Sequence, residues 1–338
     1  MLLNYWISKL LFRKFTQVLE VVYLLIISGK TVLCAQGATV KIIKKNRILK
    51  KKHMNDPMVS VVMMTYGHEK YITQAIEGVL MQKFDFDIEL IIANDCSPDK
   101  TNSVVERIME EHPRGNWIKY TSHKENKGVM SNFVWALEQS KGKYIAICEG
   151  DDYWTDSLKL QKQVDVLENN PKLTGCFHNS EERYWNDYTK ASSLYLNIGG
   201  AREVSLQDMT MNNIAPTASI VFRTPVPKEV FSNAFVNLPI GDWPLHLLNL
   251  RKGNYYYIPQ VMSVRHLYVE STWGMQDQIR NRNIVLNVYD ILINSNWFSL
   301  STIQNLKKGK NNLRNPENPF LKILKYRCKR LLSLLTKR

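Results

Sequence analysis

The chain has 338 residues, 44% of them hydrophobic, enough to bury a sizeable core in one large domain or two ordinary ones. Its net charge of +14 sits at the ends: residues 1–53 and 305–338 each carry 11 Lys/Arg against one acidic residue, leaving 23 basic and 29 acidic residues between them. A mildly acidic body with two basic tails argues against a nucleic-acid groove through the fold and fits attraction to an anionic membrane surface.

The first tail contains VLEVVYLLIISGK, in which Glu20 and Lys30 leave only Val21 to Gly29 free of charge. That run is short of the roughly 20 residues that span a bilayer, so an interfacial helix is the simpler expectation. The following KIIKKNRILKKKH carries no periodic pattern, and ordered patterning begins abruptly at Met54, where translation of the native protein is a second expectation. The five cysteines include no C-x-x-C pair and read as reduced thiols of a cytoplasmic protein. Cys176 and His178 lack a second ligand pair at zinc spacing.

From Met58 the chain alternates two kinds of segment. MVSVVMMT is apolar and β-branched throughout, as a strand buried on both faces requires, and HEKYITQAIEGVLMQ follows with Ile72, Ala75, Ile76, Val79 and Leu80 at helical spacing. IELIIAND is a second buried strand, CSPDKT a turn and NSVVERIMEEH a helix. WIKYTSH then predicts a short strand, MSNFVWALEQSKG a helix stopped by Gly142, and KYIAICEGDD another strand. The alternation implies a parallel sheet with helices on both faces, whose ligands bind beyond the carboxyl ends of the strands. Thr65, Tyr66, Asp95, Asp151 and Asp152 all fall on that edge.

The stretch CEGDDYW places Glu149, Asp151 and Asp152 together at a strand end. Carboxylates packed so closely repel one another unless a cation or hydrogen-bond donors absorb the charge. Hard oxygen ligands suit Mg²⁺ or Mn²⁺ bridging to a substrate diphosphate, whereas a solvated acidic turn capping the next helix is the plainer alternative.

At these residues the sequence resembles the family 2 inverting glycosyltransferases of GT-A fold. The matching text is PMVSVVMMTYGHEKYITQAIEGVLMQ, ELIIANDCSPDKTNSVVE and NKGVMSNFVWALEQSKGKYIAICEGDDYWTDSLKLQKQVDVLENNP, with a thinner continuation from Ala215 to Arg265. The resemblance implies an α/β, mostly parallel, Rossmann-like sheet flanked by helices, and a nucleotide-diphospho-sugar donor with UDP as the expected nucleotide. It assigns base and ribose contacts to Thr65, Tyr66 and Asp95, the metal to Asp152, and a donor or metal contact to Asp151. Two positions depart from the family pattern: Gly67 stands where Asn is usual, and Glu149 where the first acid of a D-x-D motif is usual.

Inverting transfer needs a base for the acceptor hydroxyl. Asp242 in LPIGDWPLHLLNLRKG is the candidate, supported by the resemblance, with helix capping as the competing role. Arg223 and the pair Arg265-His266 are candidate diphosphate contacts, with a surface ion pair as the alternative for a lone Arg. Phe177 to Asn213 is expected to be loop-rich and to meet the acceptor, with Tyr184, Trp185 and Tyr188 available to stack on a sugar or pack a hairpin.

The C-terminal PFLKILKYRCKRLLSLLTKR reads as a basic amphipathic helix, lying in the membrane interface or packed on the core. The organisation expected is a basic extension over residues 1–53, a GT-A domain over 54–270 and a helical basic extension over 271–338. The acceptor expected is a glycan or lipid-linked sugar at the cytoplasmic face of the membrane, in surface-polysaccharide synthesis, with no nucleic-acid partner. A nucleotidyltransferase is the competing enzyme, although TYGHEKY lacks its Gly-rich basic signature. A membrane-surface binding protein with a decayed site is the competing non-enzyme.

Overall fold

The computed structural model describes residues 32–36, 39–43, 56–185, 187, 189–268 and 278–315. The chain divides into two units, Met1–Asn55 and Asp56–Arg338. In the first, β1 (Val32–Gln36) and β2 (Thr39–Ile43) pair antiparallel, with Val32 opposite Ile43. The pairing takes in the opening residues of the stretch read from the sequence as patternless, where TVKII supplies β-branched side chains that suit a strand. The apolar run at 21–29, Met54 and the basic segment 319–338 lie outside the described residues.

In the second unit, β3 (Val59–Thr65) is buried on both faces. Val59, Val61 and Met63 join one core with Ile72, Ala75, Ile76 and Val79 of helix α1 (Ile72–Leu80). Val62 points the other way, into a core shared with Phe133, Val134 and Leu137. Such double burial explains why the strand has no polar alternation.

β4 (Ile88–Asn94) is followed by α2 (Thr101–Glu111), β5 (Ile118–Ser122), α3 (Val129–Gln139) and β6 (Tyr144–Ile147). β3 runs parallel to β4, with Thr65 opposite Asn94, and to β6, with Val62 opposite Ile147. β4 runs parallel to β5. The ends of β3, β4 and β6 therefore share one edge.

Beyond β6 the main chain stays pinned to β3: Cys148 N donates to Val62 O at 3.0 Å and Gly150 N to Met64 O at 2.9 Å. That pinning carries Glu149 to Asp152 along the end of β3. The chain then forms β7 (Tyr153–Trp154) and α4 (Lys159–Asn169), followed by β8 (Gly175–Tyr184), β9 (Ser193–Leu194), β10 (Arg202–Val204) and α5 (Leu206–Met211). β11 (Val221–Arg223), α6 (Asp242–Asn249) and β12 (Tyr255–Leu267) complete the set that frames the site.

The long path through the sheet is β10-β12-β8-β11-β6-β3-β4-β5. β11 is antiparallel to both β6 and β8, and β12 is parallel to β8 from Tyr255 opposite Gly175 to Leu267 opposite Tyr184. β7 pairs antiparallel with β12, Trp154 facing Ser263 and Tyr153 facing Val264.

The segment expected to be loop from Phe177 is instead strand as far as Tyr184. Its polar residues satisfy one another: Asn179 Oδ1 accepts from the amides of Ser180 at 3.0 Å and Leu196 at 2.9 Å, and the Ser180 and Ser263 hydroxyls lie 2.6 Å apart. Composition alone hides a strand stabilised in this way.

Helices α7 (Gln278–Asn294) and α8 (Leu300–Arg314) contribute Val288, Tyr289, Leu292 and Leu306 to the core that holds Val62. The Tyr289 hydroxyl donates to the carbonyls of Thr210 and Met211, each at 3.0 Å. Among the described residues, no helix is long and apolar enough to cross a membrane.

Candidate active site

The loop after β3 is stitched to the loop after β4. Gly67 N donates to Ser97 Oγ, His68 N to Thr101 Oγ1 and Glu69 N to Asp99 Oδ2, each at 3.0 Å, and Lys100 N returns a bond to Glu69 Oε2 at 2.9 Å. Gly67 has φ +70°, a left-handed conformation open to glycine and, among other residues, best tolerated by asparagine. The departure noted in the sequence is thus a swap between the two residues that suit that backbone. Tyr66 stands half-exposed beside it, while Thr65 is buried with no hydrogen-bond partner for its hydroxyl.

Asp95 is buried just past β4, and both its oxygens are engaged: Oδ1 accepts from Lys127 N at 2.7 Å and Oδ2 from Gly128 N at 3.0 Å. Asp95 thereby anchors the turn that opens α3.

The acidic cluster is built from opposite directions. Tyr268 donates its hydroxyl to Asp151 Oδ2 at 2.8 Å, His266 Nδ1 lies 2.6 Å from the Asp151 carbonyl, and His266 N donates to Asp152 Oδ1 at 3.1 Å. The β7–β12 pairing sets this register. Burial, then the Asp151 charge, pushes Asp152 well above the carboxylate range, against the pull of Arg265 and the His266 amide. Glu149 is driven up by burial and by Asp151, Asp152 and Asp242, again against Arg265. Burial works against the Arg265 charge, but Tyr195, Asp152, Glu182 and Glu149 outweigh it. The Arg265 guanidinium is shared with Glu182 at 3.4 Å. One guanidinium so divided does not balance three carboxylates.

The donor set is all oxygen, the chemistry that suits Mg²⁺ or Mn²⁺, and added positive charge would reverse the upward pressure on Glu149 and Asp152. Among the described residues, no three His, Cys, Asp or Glu side chains converge on a ready-made metal position. Magnesium sites that complete their shell with water and phosphate oxygens use only one or two carboxylates.

Asp242 reaches the site from the opposite core. It is the first residue of α6, and Gly241 is the N-cap with no side-chain cap bond. A Cβ on Gly241 would lie 2.7 Å from Met130 Cε, so glycine lets the start of the helix close onto α3. Asp242 Oδ2 accepts from Asn213 Nδ2 at 2.9 Å and Thr217 Oγ1 at 3.3 Å. Asp242 is therefore held by side chains that the sequence reading did not single out, and it acts electrostatically on Glu149.

Other candidates resolve differently. Arg223 braces the amino end of the sheet, opposite Tyr144, donating to Leu173 O at 2.7 Å, Tyr144 OH at 2.8 Å and the Leu167 carbonyl. Trp185 packs into an aromatic group, 4.5 Å from Tyr71 and 4.9 Å from His266, with Tyr71 stacked on Tyr268 at 4.7 Å. Tyr188 lies outside the described residues. Tyr71 and Tyr268 carried no motif signal, since only the fold brings positions so far apart in sequence together.

A family model described as Glycosyl transferase family 2 matches residues 60–228, from β3 through the acidic cluster and β11. The chain belongs to this family. An uncharacterized protein of Mycobacterium tuberculosis is 34% identical over 216 residues, 64% of this chain and 60% of the relative, so the match spans about three-fifths of that relative's length. Among solved structures, residues 1–349 of S. aureus TarS in complex with UDP are 18% identical with a TM-score of 0.55, covering 75% of this chain and 71% of that one. The mannosyltransferase PcManGT from Pyrobaculum calidifontis, in complex with GDP-Man and Mn²⁺, is 17% identical with a TM-score of 0.58, covering 79% and 72%. The fold is that of the GT-A glycosyltransferases.

Proposed function

We propose that this protein is a metal-dependent inverting glycosyltransferase that moves a sugar from a nucleotide diphosphate, with UDP as the expected nucleotide, to a glycan or lipid-linked acceptor. The observation that carries the reading is the acidic stretch Glu149 to Asp152, pinned along the end of β3 and bonded by His266 and Tyr268, with Asp242 held beside it by Asn213 and Thr217. A base and an acidic diphosphate site bordering one space is the arrangement a single displacement needs, with the base on the face of the sugar opposite the leaving group. One oxygen of Asp242 is fixed by Asn213 and Thr217, which leaves the other to take the acceptor proton. The acceptor oxygen then bonds to the anomeric carbon as the bond to the diphosphate breaks, the electron pair leaving with the phosphate oxygen.

Tyr66 and the 127–128 turn held by Asp95 border the nucleobase side, and Arg265 faces the diphosphate. Asp152, with Asp151 or Glu149, would hold Mg²⁺ or Mn²⁺, which would supply charge neutralisation for the leaving diphosphate. The UDP and GDP-Man complexes of the structural neighbours support a nucleotide-sugar donor. The basic segment 319–338 supports attachment to an anionic inner membrane face, where lipid-linked acceptors of surface polysaccharides are presented.

The test is calorimetric titration of UDP into the full chain with Mn²⁺ and with chelator, beside Asp152→Ala. Binding that needs Mn²⁺ and is lost in the variant is the expected result. Equal binding with chelator, or in Asp152→Ala, overturns the metal assignment.

A further inference from the structure

His246 lies four residues after Asp242 on α6, so the two side chains share one face of the helix. The imidazole is fully buried, and neither ring nitrogen has a hydrogen-bond partner. Two idle nitrogens in a core are expensive, because a buried polar group without a hydrogen bond has lost its water for nothing, and an apolar side chain avoids that cost. The neighbouring positions on the helix, Leu245, Leu247 and Leu248, are apolar and equally buried.

The groups around the ring are few. Tyr255 of β12 meets it edge-on at 5.8 Å, and burial keeps that phenol neutral. Burial holds the imidazole down at about 4, and among the described residues Asp242 is the one charge that pulls it upward. Arg251, past the end of the helix, is engaged by Glu229 at 2.9 Å and by the Trp297 carbonyl at 2.8 Å. Glu149 bears on the pair through Asp242.

We propose that His246 is a positioning residue for Asp242 that shares the proton Asp242 takes from the acceptor. The inference rests on the reading of Asp242 as the base. During transfer the acceptor O–H proton passes to an Asp242 oxygen while the acceptor oxygen forms the glycosidic bond and the diphosphate departs. A protonated Asp242 must then be emptied before the next turnover. A neutral imidazole one helical turn behind it can share that proton on a ring nitrogen while the product leaves, and because the ring is fully buried the proton then returns through Asp242 to solvent, which restores the carboxylate and the neutral imidazole. The low-dielectric surroundings that disfavour a lone imidazolium favour one paired with a carboxylate.

The test follows nucleotide release from UDP-GlcNAc and GDP-Man by the full chain with Mn²⁺, across pH 4.5–8, in wild type, Asp242→Asn, His246→Gln and His246→Phe. Asp242→Asn is expected to lose about 100-fold or more in kcat, as loss of a general base does. His246→Gln, which keeps shape and polarity but binds no proton, is expected to keep KM and lose about tenfold in kcat, with the acid limb moved down by about half a pH unit, because a coupled pair binds its first proton more readily than either member alone.

A role in packing alone predicts that Gln restores the wild-type profile with its acid limb unmoved, and that result overturns the inference. If Asp242→Asn retains wild-type rates, the base reading itself fails. Imidazole ¹⁵N spectra of the folded wild type and Asp242→Asn provide a readout independent of the His246 variants. The His246 protonation midpoint is expected to fall when Asp242 is neutralised, and an unchanged midpoint refutes the coupling.

Discussion

Replacing Lys159 by Met is expected to stabilise the protein. Lys159 is fully buried at the start of α4, and its ammonium has no hydrogen-bond partner. Burial lowers its pKa from 10.5 to about 7. Cys148 and Cys176 lie close enough to favour the charge, but burial pushes the first thiol well up and the second to about 12, so neither offers a thiolate at neutral pH. The fall from 10.5 to about 7, at about 1.4 kcal/mol per pH unit, amounts to roughly 5 kcal/mol of destabilisation at neutral pH. The Trp154 ring lies 3.9 Å from the ammonium, and a desolvated cation–π contact of about 2 kcal/mol offsets part of this. About 3 kcal/mol remains.

The sign follows from proton binding. Between the folded and unfolded values the unfolded chain holds the proton and the folded chain does not, so wild-type stability rises with pH through that window. The penalty is complete below the folded value and gone above 10.5. Lys159→Met, close in volume and uncharged, removes it at every pH. Urea unfolding at pH 7 is expected to show the variant more stable by roughly 3 kcal/mol, and at pH 9.5 by about 1 kcal/mol. A variant less stable than wild type at both pH values, or a gain that does not shrink with pH, refutes the reasoning.

Acid sensitivity is expected from the buried imidazoles. His178 is held well below its ordinary range, and His246 at about 4, by burial, so unfolded imidazoles bind protons below 6.5 that the folded ones refuse. His246→Phe should therefore lose less stability than wild type, by roughly 2–3 kcal/mol, between pH 6.5 and 4.5 in urea unfolding. Gly150→Ala sets a methyl 2.9 Å from His68 Nδ1 and from Thr65 Cβ and Oγ1. It is expected to destabilise by about 1–3 kcal/mol and to weaken UDP binding, since the displaced residues border the donor site; calorimetry and thermal unfolding check both. Arg223→Ala removes bonds to Leu173, Tyr144 and Leu167 at the far end of the sheet. Its expected signature is a stability loss of about 2–4 kcal/mol with unchanged UDP affinity.

The strands of the first half were legible because double burial imposes unbroken apolar runs, and the acids at their ends were legible because the parallel order puts those ends on one edge. Asp242 was legible as a residue type in a turn, but its anchors Asn213 and Thr217 were not, because a polar residue in an irregular segment carries no periodicity. The polar half of β8 resembled loop because Asn179, Ser180 and Ser263 satisfy one another across strands. Arg223 seemed a ligand-facing cation because sequence shows a charge without showing its direction. The antiparallel pairing of β11 with β6 turns that charge to the opposite end.

β12 ties the two halves of the chemistry together. At its start Tyr255 backs the His246 ring behind Asp242, and at its end Arg265, His266 and Tyr268 hold or face Asp151 and Asp152. β12 is paired with β8 from Tyr255 to Leu267, with shifts of register between Ile258 and Ser263, so one strand runs from the ring of His246 to the acidic cluster. A strand in a packed sheet keeps its ends at a fixed spacing, and displacement chemistry is sensitive to misplacement of about 1 Å. Glu149 is the exception: no bond from β12 holds it, it carries the electrostatic burden of Asp151, Asp152 and Asp242, and the main chain on either side of it is pinned to β3.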